Sequence, residues 1–243
     1  MTMESLNAAS RNLDNQNPVK QFAIEQARRL LRDADVADPG PRELYIPELS
    51  TILFQKIWNQ RGETVSMDFE VPACPYTEEE LKILESQGRR IGYLPLELST
   101  VSSRNILTKI FPLTDSPHPI NYENPSGWFD YDATIDLPNR DTSAGEILDK
   151  VRRDNRTLLS LNQYIIAGND SKLFTGQYLD ERWKSNLLAA IVGGTYTIDG
   201  SLVASKFSGN GSGELMLRVV NIENQDYPDP MSGGRSAGKP KVV

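Results

Sequence analysis

The sequence predicts an α+β fold: a mixed or antiparallel sheet packed against several amphipathic helices, with flexible N- and C-terminal tails. Three observations predict it. Strict alternation of apolar and polar residues marks strands at 63–71 and 128–137. Two capping boxes, Thr77 with Glu80 and Ser143 with Glu146, open helices. The run Ser208-Gly209-Asn210-Gly211-Ser212-Gly213 joins two β-prone segments, so at least part of the sheet is antiparallel.

The elements follow in order. Residues 1–17 are polar, without sustained periodicity, and read as a flexible arm. Asn17 caps a helix beginning at Pro18, with Val19, Phe22, Ala23, Ala27 and Leu30 as its apolar stripe. Asp38-Pro39-Gly40-Pro41 is a linker. A second helix starts near Pro47, carries Leu53, Ile57 and Trp58, and stops before Gly62. In the strand that follows, Val65, Met67, Phe69 and Val71 share a face. The helix opened by Thr77 stops at Gly88, residues 92–95 are extended, and 99–110 forms a short helix.

Residues 112–127 contain Pro112, Pro117, Pro119 and Pro125 and form the longest internal irregular stretch. This loop separates a helical or α+β N-terminal region, 18–111, from an α+β C-terminal region, 128–222. The alternative is one domain over 18–222 with the loop draped on a single core. Beyond the loop, Phe129, Tyr131, Ala133, Ile135 and Leu137 form the apolar face of a strand, and Trp128, Asp130, Asp132, Thr134 and Asp136 its acidic face. The helix opened by Ser143 carries Ile147, Leu148 and Val151, with Arg152, Arg153 and Arg156 toward its negative end. Residues 158–167 read as a buried strand closed by Gly168. Residues 179–192 read as a helix ended by Gly193-Gly194, and Asp199-Gly200 is a hairpin signal. Strands follow at 202–207 and 214–221. Residues 223–243, rich in Pro, Gly, Ser and Lys, read as a disordered tail.

The net charge of −7 argues against a broad nucleic-acid surface and favours a protein partner or self-assembly. No apolar run is long enough to span a membrane, and the N-terminus lacks signal-peptide features. A single cysteine, Cys74, forms no internal disulfide, and these features together favour a cytoplasmic location.

Asp130, Asp132 and Asp136 are the candidate metal ligands, because oxygen-rich groups suit magnesium, manganese or calcium. Asp130, Asp132 and His118, the one histidine, are the candidate catalytic groups. Arg152 is a candidate for a phosphorylated ligand beside the acidic strand. Asn169, Asp170, Ser171 and Lys172 are candidates because strand ends in α/β sheets are common ligand sites. Each set has a plain structural account: a solvated strand face, a helix C-terminus, a turn with a helix cap. The glycines at 209–213 and in Gly233-Gly234-Arg235-Ser236-Ala237-Gly238-Lys239 lack the strand and helix that a phosphate loop needs. With no complete catalytic constellation, the sequence favours a non-enzymatic binding or assembly module without a cofactor. The alternative is a divalent-metal-dependent hydrolase or phosphoryl-handling enzyme on the Asp130/Asp132/Asp136 face.

Overall fold

The computed structural model describes residues 18–33, 46–100, 103–111, 125–139, 142–180, 189–196, 202–207, 215–220, 232–239 and 241. Helices and two four-stranded sheets give an α+β architecture. Asn17, the linker at 38–41, His118, the hairpin signal at 199–200 and the loop at 208–213 lie outside the described residues.

Helix α1 (Pro18–Asp33) buries Ala27, Leu30 and Leu31 against Leu53 and Ile57 of α2 (Pro47–Glu63). Helix α2 runs through Gly62, where an added Cβ would lie 2.1 Å from the Met67 carbonyl. The sequence reads 63–71 as a strand, but the structure shows none there. Phe69 and Val71 do turn inward. Their backbone pairs with a side chain instead of a neighbouring strand: Gln55 donates to the Phe69 carbonyl (2.8 Å) and accepts from the Val71 amide (2.9 Å). Alternation predicts which residues are buried, and a ladder needs a partner besides.

Helix α3 (Glu78–Ser86) has the expected Thr77/Glu80 capping box. It leads through Gly88, at φ +70°, into β1 (Arg89–Leu94). A single turn at Leu96–Leu98 and α4 (Arg104–Ile110) follow. β1 pairs antiparallel with β2 (Gly127–Asp132), from Arg89 opposite Asp132 to Leu94 opposite Gly127. β2 ends five residues earlier than the alternation suggests. The Asp132 carboxylate accepts from the Thr134 amide (3.0 Å) and hydroxyl (2.7 Å), a local turn that competes with the ladder.

Helix α5 (Ala144–Arg153) has the Ser143/Glu146 capping box, and β3 (Thr157–Leu158) follows. Residues 161–175 are α6 (Leu161–Thr175), where the sequence reads a strand and then a turn. Ser160 and Gln163 form a third capping box, and Gly176 at φ +75° ends the helix. Nearly every α6 side chain is buried, so the sequence lacks the polar face that reveals most helices. An added Cβ at Gly168 would meet the Phe207 ring at 1.9 Å, and that ring stacks on Tyr178 and Tyr164.

β4 (Ala189–Tyr196) occupies the end of the segment read as a helix, with Gly193-Gly194 inside the strand. Its register against β5 (Leu202–Phe207) is irregular between Ile191 and Tyr196, across those glycines. β5 pairs antiparallel with β6 (Leu215–Val220).

The composition of 223–243 suggests a tail, yet its second half enters the fold. β7 (Ser232–Gly234) pairs parallel with β4, and β8 (Ser236–Ala237) lies between β2 and β3. Lys241 bridges to Trp128. The sheet orders are β1-β2-β8-β3 and β6-β5-β4-β7. One core cluster extends from Phe54 through Leu94, Trp128, Tyr164 and Phe207 to Ala237.

Candidate functional site

The acidic face of β2 is not a wet surface. Trp128 through Tyr131 are all buried, so both sides of the strand are covered. Asp130, 6% exposed, meets two guanidiniums: Arg89 Nε at 2.6 Å and Arg156 Nη2, both on Oδ2. Arg89 also donates to the Ser236 hydroxyl (3.1 Å) and carbonyl (3.0 Å), and Arg156 to the same hydroxyl (3.3 Å). The Gly238 amide donates to the Asp130 carbonyl at 2.8 Å. Asp130 is thus the hub that ties β1, the end of α5 and the C-terminal segment together.

Asp132 is half-buried and committed to its turn with Thr134. Asp136 lies beyond the strand end and is exposed, so the expected ladder of three carboxylates on one face does not form. Among the described residues no group of three or more His, Cys, Asp or Glu could hold a metal ion.

A second hub is Arg235, 1% exposed. It pairs with Asp180 through Nη2 and through Nε (3.3 Å), and donates to the carbonyls of Asp132 (3.0 Å), Ile135 (3.4 Å) and Asp136 (3.1 Å). The Tyr164 hydroxyl donates to Asp180 at 2.7 Å. Burial opposes the charge on Arg235, but the Asp180 carboxylate outweighs it and holds the guanidinium above its ordinary pKa. Sequence reasoning missed Arg235 and Asp180. The available signal was one arginine framed by small residues in Gly233-Gly234-Arg235-Ser236-Ala237-Gly238, a composition that suits close backbone packing as well as a linker.

The ligand candidates at 169–172 sit inside α6, not at a strand end. Asn169 donates back to the Ile165 carbonyl (2.8 Å), and the Ser171 hydroxyl is 3.5 Å from that of Thr175. Lys172 Nζ lies 5.0 Å from the centre of the Tyr178 ring. Arg152 is exposed on α5, 3.8 Å from Asp149, in an open groove with Thr142, Glu146 and Lys150. Arg156, three residues past α5, is the arginine of that cluster that reaches Asp130. Cys74 is half-buried, and burial raises its thiol pKa, which disfavours the reactive thiolate.

Asp170 belongs to a third cluster. It is fully buried and pairs with Arg61 of α2 at 2.5 Å. The Arg61 guanidinium lies 4.8 Å from the Trp58 ring centre and 5.0 Å from that of Phe111, so two aromatic rings hold it. Tyr131 of β2 and Arg90 of β1 complete the group, and the charges of Asp170, Arg90 and Arg61 all act on the phenol. Burial, reinforced by Asp170, raises the Tyr131 pKa above its ordinary value. Burial also raises the Asp170 carboxyl, against the opposing pull of Arg61. Four buried atoms here have no hydrogen-bond partner: Arg61 Nη1, Arg90 Nη1, Tyr131 OH and Asp170 Oδ2.

Comparison with protein-family models, curated proteins and solved structures finds no match to this chain. Among the described residues, no helix is long and apolar enough to cross a membrane.

Proposed function

We propose that the protein is a non-enzymatic binding and assembly module, and that it associates with a second copy of itself along the outer edge of β6. One observation carries this reading. Among the described residues β6 is the terminal strand of its sheet, and its sequence is Leu215-Met216-Leu217-Arg218-Val219-Val220, apolar but for one arginine. An edge strand offers a row of backbone donors and acceptors, and natural proteins block unwanted pairing with charges, prolines or bulges. β6 pairs without interruption over its whole length with β5 and has neither a proline nor an acidic residue. Two such edges run antiparallel about a two-fold axis are self-complementary. We place this activity in the cytoplasm, since a fold with one cysteine needs no oxidising compartment.

Sedimentation velocity across a range of concentrations tests the reading, with Met216→Glu as the control variant. Residue 216 stands opposite Lys206 in the β5 register, and the substitution places an acidic charge on the edge strand. The expected result is a dimer for the native chain and a monomer with unchanged circular dichroism for the variant. A native chain that stays monomeric at every concentration overturns the proposal.

A further inference from the structure

The cluster of Arg61, Arg90, Tyr131 and Asp170 has more hydrogen-bonding capacity than the protein uses. Its members come from α2, β1, β2 and α6, and core packing holds those elements together. Arg61 Nη2 and Asp170 Oδ1 satisfy one another. That leaves two guanidinium N–H groups, a phenol and a carboxylate oxygen buried without partners. Such groups are rare in folded proteins, because each forfeits its hydration without return. The charges do not cancel either. Two guanidiniums stand against the single carboxylate of Asp170, and no other carboxylate pairs with Arg61 or Arg90 among the described residues. Arg61 and Arg90 are half-buried, and the excess positive charge at their shielded Nη1 atoms favours an anionic ligand.

We propose that this cluster binds a small, singly charged oxyanion that keeps at least one O–H, of the hydrogencarbonate or dihydrogen phosphate type. The two arginines and Tyr131 donate to its oxygens. Its own O–H donates to Asp170 Oδ2, the one carboxylate oxygen left unpartnered in the group. Its single negative charge balances the excess guanidinium. An anion with no proton leaves Asp170 Oδ2 facing another negative oxygen, so the carboxylate selects for the protonated species. The four atoms are shielded from solvent, which restricts the ligand to a few heavy atoms.

Isothermal calorimetry on the full chain tests the site, with sodium hydrogencarbonate and inorganic phosphate titrated separately and nitrate keeping the ionic strength constant. The proposal expects saturable heat from at least one of them, with the responding anion reporting the size of the site. Nitrate is expected not to compete. Arg90→Gln and Tyr131→Phe each remove one donor and are expected to raise the Kd by about tenfold or more, the loss of one charge-assisted hydrogen bond. Both variants keep their neighbours' volume, and circular dichroism checks that they fold. Absence of saturable heat from both anions overturns the proposal. So does equal competition by nitrate, unchanged binding in both folded variants, or a crystal structure with a lone water bridging the four atoms.

Discussion

Gly238 shows how one residue decides a local outcome. An added Cβ at this position would lie 1.9 Å from Asp130 Oδ1, inside the ion-pair hub. Gly238→Ala must displace either that carboxylate from Arg89 and Arg156 or the backbone amide from the Asp130 carbonyl. The expected cost is about 3 kcal/mol, read by urea denaturation, because disturbing a buried pair leaves charges uncompensated. Glu146 gives a pH prediction at the same scale. The Ser143 amide and hydroxyl hold its carboxyl below the ordinary value. A depressed folded pKa contributes stability above the unfolded value, about 4.3, and loses it as pH falls through the folded value. Ser143→Ala removes the hydroxyl, so the variant is expected to lose less additional stability on acidification than the native chain. Denaturation midpoints at neutral and acid pH check this.

At the scale of elements, the C-terminal segment acts as a strap. β7 pairs with β4 in one sheet, β8 pairs with β2 and β3 in the other, and Arg235 between them fills a socket of Asp180 and three carbonyls. Arg235→Ala leaves Asp180 buried with the Tyr164 hydroxyl and without its cation. The expected loss is about 3–5 kcal/mol, measurable as a lower denaturation midpoint. Arg235→Lys is expected to recover only part of that, since an ammonium cannot reproduce the planar fork. If the strap were dispensable, removing Arg235 would leave stability unchanged.

At the scale of the whole molecule, net charge opposes the proposed association. Two copies each carrying −7 repel one another at low ionic strength. Edge pairing through apolar β6 is therefore expected to tighten as salt rises, and sedimentation at low and high salt reads the sign. An association held by surface ion pairs would weaken instead.

The readable parts of the fold were those set by short-range chemistry. Thr77 with Glu80 and Ser143 with Glu146 opened helices as their spacing requires, and β5 and β6 follow from two apolar runs around a glycine-rich connection. The same kind of signal lay unused at Ser160 and Gln163, because a helix buried on all sides carries no periodicity to accompany its cap. Of the candidate residues, Asp130 was visible as an acid on a strand. Its partners Arg89, Arg156 and Gly238 lie 41, 26 and 108 residues away, and no local pattern connects them. Composition misread the final segment for a related reason: glycine and serine suit a loose chain and equally a strand pressed against Leu137, Ile147 and Asp130. By itself the sequence determined the α+β class, the capped helices and the hairpin, which depend on neighbours in the chain. Tertiary structure alone decided that β2's acids are buried among arginines and that Arg235 is a core residue, because burial and charge pairing depend on neighbours in space.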